Sequence, residues 1–284
     1  MKQMRSEKEM FELILCIAED DPRIKAVVLN GSRADPEAPR DNYQDYDIIY
    51  IAEDVAPFYN NLGWIDEKIG HPFVMQLPEL NSPPGCLPDG DGHFTYLMLF
   101  DDGNRIDLSI YDKYPSSDEP AVVLLDKCGC LPPLSDDPSC WQVAKPDQKL
   151  FSDCCNEFWW CLNNVAKGIA REELPYALNM YLCNVHDMLD WMVRWYIGVS
   201  TDFSVSAGKL GKYFGRYLPA HVYSEYLSTF SDSDPAHLWS AIFTACSLFR
   251  KLALAVAENL NFSYDLTEDE NMQEYLLHVK NSNL

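Results

Sequence analysis

Apolar residues recur at helical spacing near the start of the chain, where Met10, Phe11, Leu13, Ile14, Ile17 and Ala18 line one face of residues 5–19 and Asp20-Asp21-Pro22 ends the run. A first helix is expected there. Two short runs rich in β-branched and aromatic residues follow, 24–29 and 46–51, separated by a polar stretch that begins Asn30-Gly31-Ser32-Arg33, which reads as a loop. Pro and Gly crowd the tract from Asn81 to Gly92, and a hairpin is expected beyond it, with strands at 94–100 and 105–111 around Asp101-Asp102-Gly103-Asn104. From Phe151 onward the period changes to that of long amphipathic helices, at about 151–170, 174–196, 236–260 and 269–279.

The order is therefore sheet first and helices after. That is an α+β chain with a mixed-sheet domain over 1–140 and a helical domain over 141–284, the change falling in the Pro-punctuated stretch between Pro115 and Pro146. No internal repeat interrupts either half.

Composition narrows the function classes. With 284 residues and 47% hydrophobic content the chain can bury substantial cores, and its charged N-terminus lacks the cleavage site of a signal peptide, so a cytoplasmic protein outside the membrane is expected. Ten cysteines in a chain of this length, two of them adjacent at Cys154-Cys155, read as reduced and mostly buried thiols. Cys128-Gly129-Cys130 is spaced too closely for an ordinary zinc ligand pair, and no structural metal is expected. The formal net charge of -22 repels nucleic acids and favours cationic small partners, although surface acidity also serves solubility. Whether the chain is a monomer or a homodimer is left open.

The chemistry concentrates between Leu29 and Tyr50. On a strand, Asp45 and Asp47 point to one side while Tyr46 and Ile48 point to the other. Two carboxylates that close need a cation, and hard oxygen donors suit magnesium, with phosphate oxygens completing its shell. Asp107, on the second hairpin strand, is a third candidate acid, able to serve as metal ligand or as general base. Gly31 admits close approach of a triphosphate, Ser32 offers a hydroxyl donor and Arg33 a compensating charge; no Gly-Lys-Ser/Thr follows, so this is not a Walker loop. Taken singly, an Asp-x-Asp pair is usually a solvated surface feature and Gly-Ser an ordinary turn, but their ordered combination on expected strands points to nucleotidyl transfer.

In the helical half, Lys167 lies one turn from Arg171 and can reach phosphate, with a solvated basic helix end as the commoner role. Glu173, beside Glu172, and the pair Asp187 and Asp190 can receive the cationic groups of an acceptor; for Asp190 an ion pair with Arg194, one turn on, is the structural alternative.

The segments Asn30-Gly31-Ser32-Arg33-Ala34-Asp35-Pro36 and Asp41-Asn42-Tyr43-Gln44-Asp45-Tyr46-Asp47-Ile48 resemble those of the aminoglycoside 6-adenylyltransferases, also called streptomycin adenylyltransferases. The likeness continues through Val74-Met75-Gln76-Leu77-Pro78-Glu79, Asp101-Asp102-Gly103-Asn104-Arg105-Ile106-Asp107 and Lys167-Gly168-Ile169-Ala170-Arg171, and so spans nearly the whole chain. The resemblance implies a polymerase-beta-like nucleotidyltransferase fold in the first domain and a helical acceptor-binding second domain. It implies ATP as donor, Mg2+ as cofactor, and transfer of AMP to the 6-hydroxyl of streptomycin, which confers antibiotic resistance. Asp45, Asp47 and Asp107 would then be catalytic acids and metal ligands, and Gly31, Ser32 and Arg33 would hold the triphosphate. The donor half of such a site does not choose the acceptor, so a different small acceptor, or nucleotide binding without catalysis, stays open beside this reading.

Overall fold

The structure is a computed structural model that describes residues 2–36, 38–81, 92–115, 121–135 and 137–282. It divides into two compact units, Met1–Cys140 and Trp141–Leu284. Most of the Pro- and Gly-rich tract expected as a loop lies outside the described residues.

In the first unit, helix α1 (Glu7–Asp20) begins where Ser6 and Glu9 cap each other: Ser6 Oγ accepts from the Glu9 N–H at 3.3 Å, and the Glu9 carboxylate accepts from the Ser6 N–H at 2.7 Å. Strand β1 (Ile24–Asn30) runs into a single helical turn, α2 (Gly31–Ala34), where a polar loop was expected. Strand β2 (Tyr46–Ala52) follows, then two short helices, α3 (Ala56–Tyr59) and α4 (Trp64–Lys68), and strand β3 (Val74–Gln76). The hairpin is present as β4 (His93–Leu99) and β5 (Arg105–Tyr111), and a strand not read from the pattern, β6 (Val122–Asp126), closes the series. Its residues are half-buried or exposed, which leaves no clear alternation to detect.

The six strands form one mixed sheet in the order β3-β4-β5-β2-β1-β6, with β2 and β5 parallel and every other pair antiparallel. Tyr46, Ile48 and Tyr50 face the core shared with Met10, Ile14 and Ile17 of α1, while Ile49 and Ile51 on the opposite face join a smaller cluster with Ala26 and Val28. The alternating parity of β2 thus gives one face to the core and the other to the acids.

The N-terminal segment is tied to the hairpin turn by Asp102, which is only 4% exposed. Its carboxylate accepts from the N–H and Nε of Arg5 and from the N–H and Nδ2 of Asn104. Burial alone would raise its pKa, but these bonds hold the carboxyl well below the usual range. Asp102→Ala is expected to cost about 2–3 kcal/mol, read as a lowered denaturation midpoint, because it leaves the Arg5 and Asn104 donors unpaired. A depressed pKa stabilises the fold above the unfolded carboxyl's range and loses that contribution as pH falls, so the gap between variant and parent should narrow in acid.

The second unit is helical: α5 (Gln148–Ala170), α6 (Leu174–Met180), α7 (His186–Ser200), α8 (Phe214–Tyr217), α9 (Ala220–Leu227), α10 (Pro235–Leu260) and α11 (Leu266–Ser282). A π-turn, Tyr181–Val185, joins α6 to α7, so the long run expected at 174–196 is one helical path with a local insertion. Asp234 caps α10 by accepting from Ala236 and His237 N–H groups, Pro235 stands first in the helix, and Asn261 ends it in the left-handed conformation at φ 57°. By length and composition α10 would suit a membrane span, yet Leu238, Ile242, Phe249, Leu252 and Val256 are buried in this unit's core. It is a core helix of that unit.

No disulfide joins two described cysteines, but the expectation that the thiols are mostly buried needs correction. Cys154, Cys155, Cys161 and Cys246 are buried, whereas Cys16, Cys128, Cys130, Cys140 and Cys183 are exposed.

Candidate active site

The three acids meet at one end of the parallel pair of strands. Asp47 and Asp107 are register partners across β2 and β5, and Asp45 lies two residues before Asp47, just ahead of the strand. Burial, helped by the Asp107 and Asp45 charges, pushes the Asp47 carboxyl up to about 6. Asp45 is raised as well, again mainly through burial.

Arg105 is the cation that sequence reasoning missed. Its Nε and Nη2 donate to the two Asp107 oxygens at 2.8 and 2.7 Å, and its Nη1 stands 3.4 Å from Asp45. It sits two residues before Asp107 on the same strand, so strand parity could have flagged it. One guanidinium stands among three carboxylates, and the Asp47 carboxyl is raised chiefly by burial, with the Asp107 and Asp45 charges adding to it.

Gly31 closes the site from the β1 side. Its φ of +67° is left-handed, and a Cβ at this position would stand 2.0 Å from Asp47 Oδ2. Only glycine lets the turn lie on the carboxylate. Asn30, the register partner of Asp47 on β1, adds a buried Oδ1 with no hydrogen-bond partner. Ser32 Oγ accepts from Gln44 Nε2 at 3.2 Å, which leaves the hydroxyl proton to donate elsewhere.

Arg33 is placed differently from the expectation that it faces phosphate. Its side chain is 8% exposed; Nε donates to the Asp45 carbonyl and Nη2 to the Gln44 carbonyl, both at 3.0 Å, while Nη1 pairs with Glu7 at 2.8 Å. The guanidinium also lies 3.9 Å from the Tyr46 ring centre. Arg33 therefore braces the chain entering β2, on the face away from the acids.

Three carboxylates supply hard oxygens, the donor type that a divalent cation takes, and the glycine turn sets backbone rather than a side chain against Asp47.

Lys167, Glu173, Asp187 and Asp190 belong to the helical unit. Lys167 is exposed, donates to Asn163 Oδ1 at 2.6 Å, and lines a cavity of about 470 Å3 with Trp159, Trp160, Glu268 and Tyr275. Glu173, just ahead of α6, and Asp187, in the first turn of α7, are both exposed. Asp190 accepts from Tyr226 Oη at 2.8 Å and faces His186 Nδ1 at 3.4 Å. The Arg194 pair weighed for it does not form, because that guanidinium lies against the Trp191 and Phe214 rings instead.

Three curated relatives cover nearly the whole length. The chain is 37% identical over 281 residues to the aminoglycoside 6-adenylyltransferase of Bacillus subtilis (strain 168), an overlap of 96% of this chain and 97% of that protein. The enzyme of the same name from Campylobacter jejuni is 34% identical over 284 residues, 98% of this chain and 96% of its own. That from Staphylococcus aureus is 30% identical over 282 residues, 96% and 98% respectively. The acids, the glycine turn and the strands that bring them together all lie inside residues 4–279, the span matched by the family model for streptomycin adenylyltransferase, and the chain belongs to that family.

Proposed function

We propose that the protein transfers AMP from ATP to a hydroxyl group of an aminoglycoside, with the 6-position of streptomycin as the acceptor, in the cytoplasm. The observation that carries this reading is the Asp47–Asp107 register pair with Gly31 seated on the Asp47 carboxylate. That arrangement gathers acids around a surface kept clear for a ligand.

In this reading Asp45 and Asp47 would hold Mg2+, with Asp107 as a third ligand or as the general base, and the bound ion would offset negative charge on the phosphates and lower the cost of ionising the acceptor hydroxyl. Gly31 keeps backbone close to the triphosphate, and Ser32 donates its hydroxyl proton to a phosphate oxygen. Arg33 fixes the main chain at Gln44 and Asp45, so that the first acid is held in place through its own backbone. Asp107 takes the proton of the acceptor hydroxyl as its oxygen bonds to the α-phosphorus, and pyrophosphate leaves. Arg105 orients the Asp107 carboxylate until the substrates arrive. In the helical unit Lys167 supplies a cation for nucleotide phosphate, and Glu173, Asp187 and Asp190 supply carboxylates for the guanidinium and ammonium groups of the drug.

The test is pyrophosphate release from ATP and Mg2+ with and without streptomycin, followed by the mass of the drug. Drug-dependent release with one AMP added to streptomycin is expected. ATP binding without drug-stimulated release would overturn the acceptor, and a panel of other hydroxylated aminoglycosides then identifies the replacement. For Asp107→Asn a base role predicts a collapse in rate with Mg2+-supported ATP binding retained, whereas loss of both would mark Asp107 as a ligand first.

A further inference from the structure

The loop after β6 carries two exposed thiols at a spacing that argues against a zinc ligand pair, and the fold supplies what the spacing lacks. Asp126 Oδ1 accepts from the N–H groups of Cys128, Gly129 and Cys130 at 3.2, 2.8 and 3.2 Å, and its Oδ2 accepts from Leu131 N–H at 3.3 Å. The chain wraps around this one carboxylate, with Gly129 taking the left-handed conformation at φ +66°. Lys127 pins the loop to the C-terminal end of α1 by donating to the carbonyls of Ala18, Glu19 and Asp21. The outcome is a shaped loop in which a carboxylate oxygen and both sulfurs lie within 4.8 Å of one another, all of them exposed.

We propose that Asp126, Cys128 and Cys130 chelate a thiophilic divalent cation of the zinc class, through two thiolates and one carboxylate oxygen, with solvent completing the shell. A tetrahedral ion with bonds of about 2.3 Å to sulfur separates its ligands by roughly 3.8 Å, which small side-chain rotations reach from the observed spread. Asp126 Oδ1, which takes the three N–H groups, also accepts from Cys130 Sγ at 3.7 Å, so the carboxylate already stands against one of the two sulfurs. Cysteine is among the residues most often buried, so two thiols held side by side in solvent are not accounted for by packing.

On binding, two S–H bonds break, two metal–sulfur bonds form and two protons pass to solvent, with no change of oxidation state. The site is separate from the acids of the candidate active site: Asp126 pairs with Ala26 and Asp47 with Asn30, four residues further along β1, roughly 14 Å at strand rise.

The experiment titrates Cd2+ into the reduced protein after anaerobic removal of the reductant. A thiolate-to-cadmium charge-transfer band saturating at one ion per chain, with two protons released, is expected. C128S/C130S should abolish the band while leaving AMP transfer unchanged. A variant with serine at the other cysteines exposed among the described residues, Cys16, Cys140 and Cys183, should keep the band. Asp126→Asn should weaken binding about tenfold or more, in keeping with the loss of one ligand or its support. The proposal is overturned if the protein gives no band, if the band survives C128S/C130S, or if it disappears with the other three cysteines instead.

Discussion

Asp47→Asn should lose about a thousandfold in turnover, on the order of 4 kcal/mol of barrier, while melting no lower than the parent protein at pH 7. Both halves of this expectation come from one local fact. Asp47 is desolvated and faces Asp107 and Asp45, with Arg105 and Arg33 only partly offsetting them, so its carboxyl rises from 3.8 to about 6. The folded chain then binds more protons than the unfolded chain between about pH 4 and pH 6, and its stability falls as pH rises through that window. At pH 7 the cost of the ionised group is fully present, on the order of 1–2 kcal/mol after solvent screening, and asparagine removes it without changing shape. Magnesium should raise the melting temperature of the parent and leave that of the variant nearly unmoved. Near-parent turnover, or a clear drop in melting temperature, would remove Asp47 from the role given to it.

Gly31→Ala carries the second large effect. The left-handed φ of +67° costs a non-glycine residue about 1–2 kcal/mol, which lowers stability by that amount. The added Cβ, 2.0 Å from Asp47 Oδ2, must also displace either the turn or the carboxylate. A shift of about 1 Å between reacting groups lowers the rate roughly a hundredfold. Gly70→Ala is the control, since its φ is +116° with nothing within 4 Å of a new Cβ. It should lose stability and keep its rate, which separates backbone strain from collision at the site. If Gly31→Ala retains most of its turnover, the close approach of the turn to Asp47 is not needed for transfer.

The two effects share a cause. Three like charges at a strand end, one of them under a turn that no side chain covers, form an arrangement that the fold tolerates at a cost. Stability and function therefore pull in opposite directions at Asp47, as is usual where charge is gathered for catalysis.

The sequence by itself determined whatever depends on neighbours within a few residues. The apolar spacing of α1, the helical period over 236–260 and the turn of the β4–β5 hairpin are local signals, and the elements they mark are present. The alternation Asp45-Tyr46-Asp47 determined which face of β2 the acids would occupy before any partner strand was known. Tertiary structure alone decided which groups meet there. Asp107 reaches Asp47 through a parallel pairing sixty residues away in sequence, and no short-range pattern encodes that register. Arg33 and Arg105 are equally cationic on paper, yet one is turned under Tyr46 to hold main-chain carbonyls and the other stands between two acids. The same holds in the helical unit, where Asp190 took Tyr226 and His186 as partners in place of Arg194. Periodicity assigns a side chain to a face, but its partner is set by the register and packing of distant segments, and that information exists only once the chain has folded.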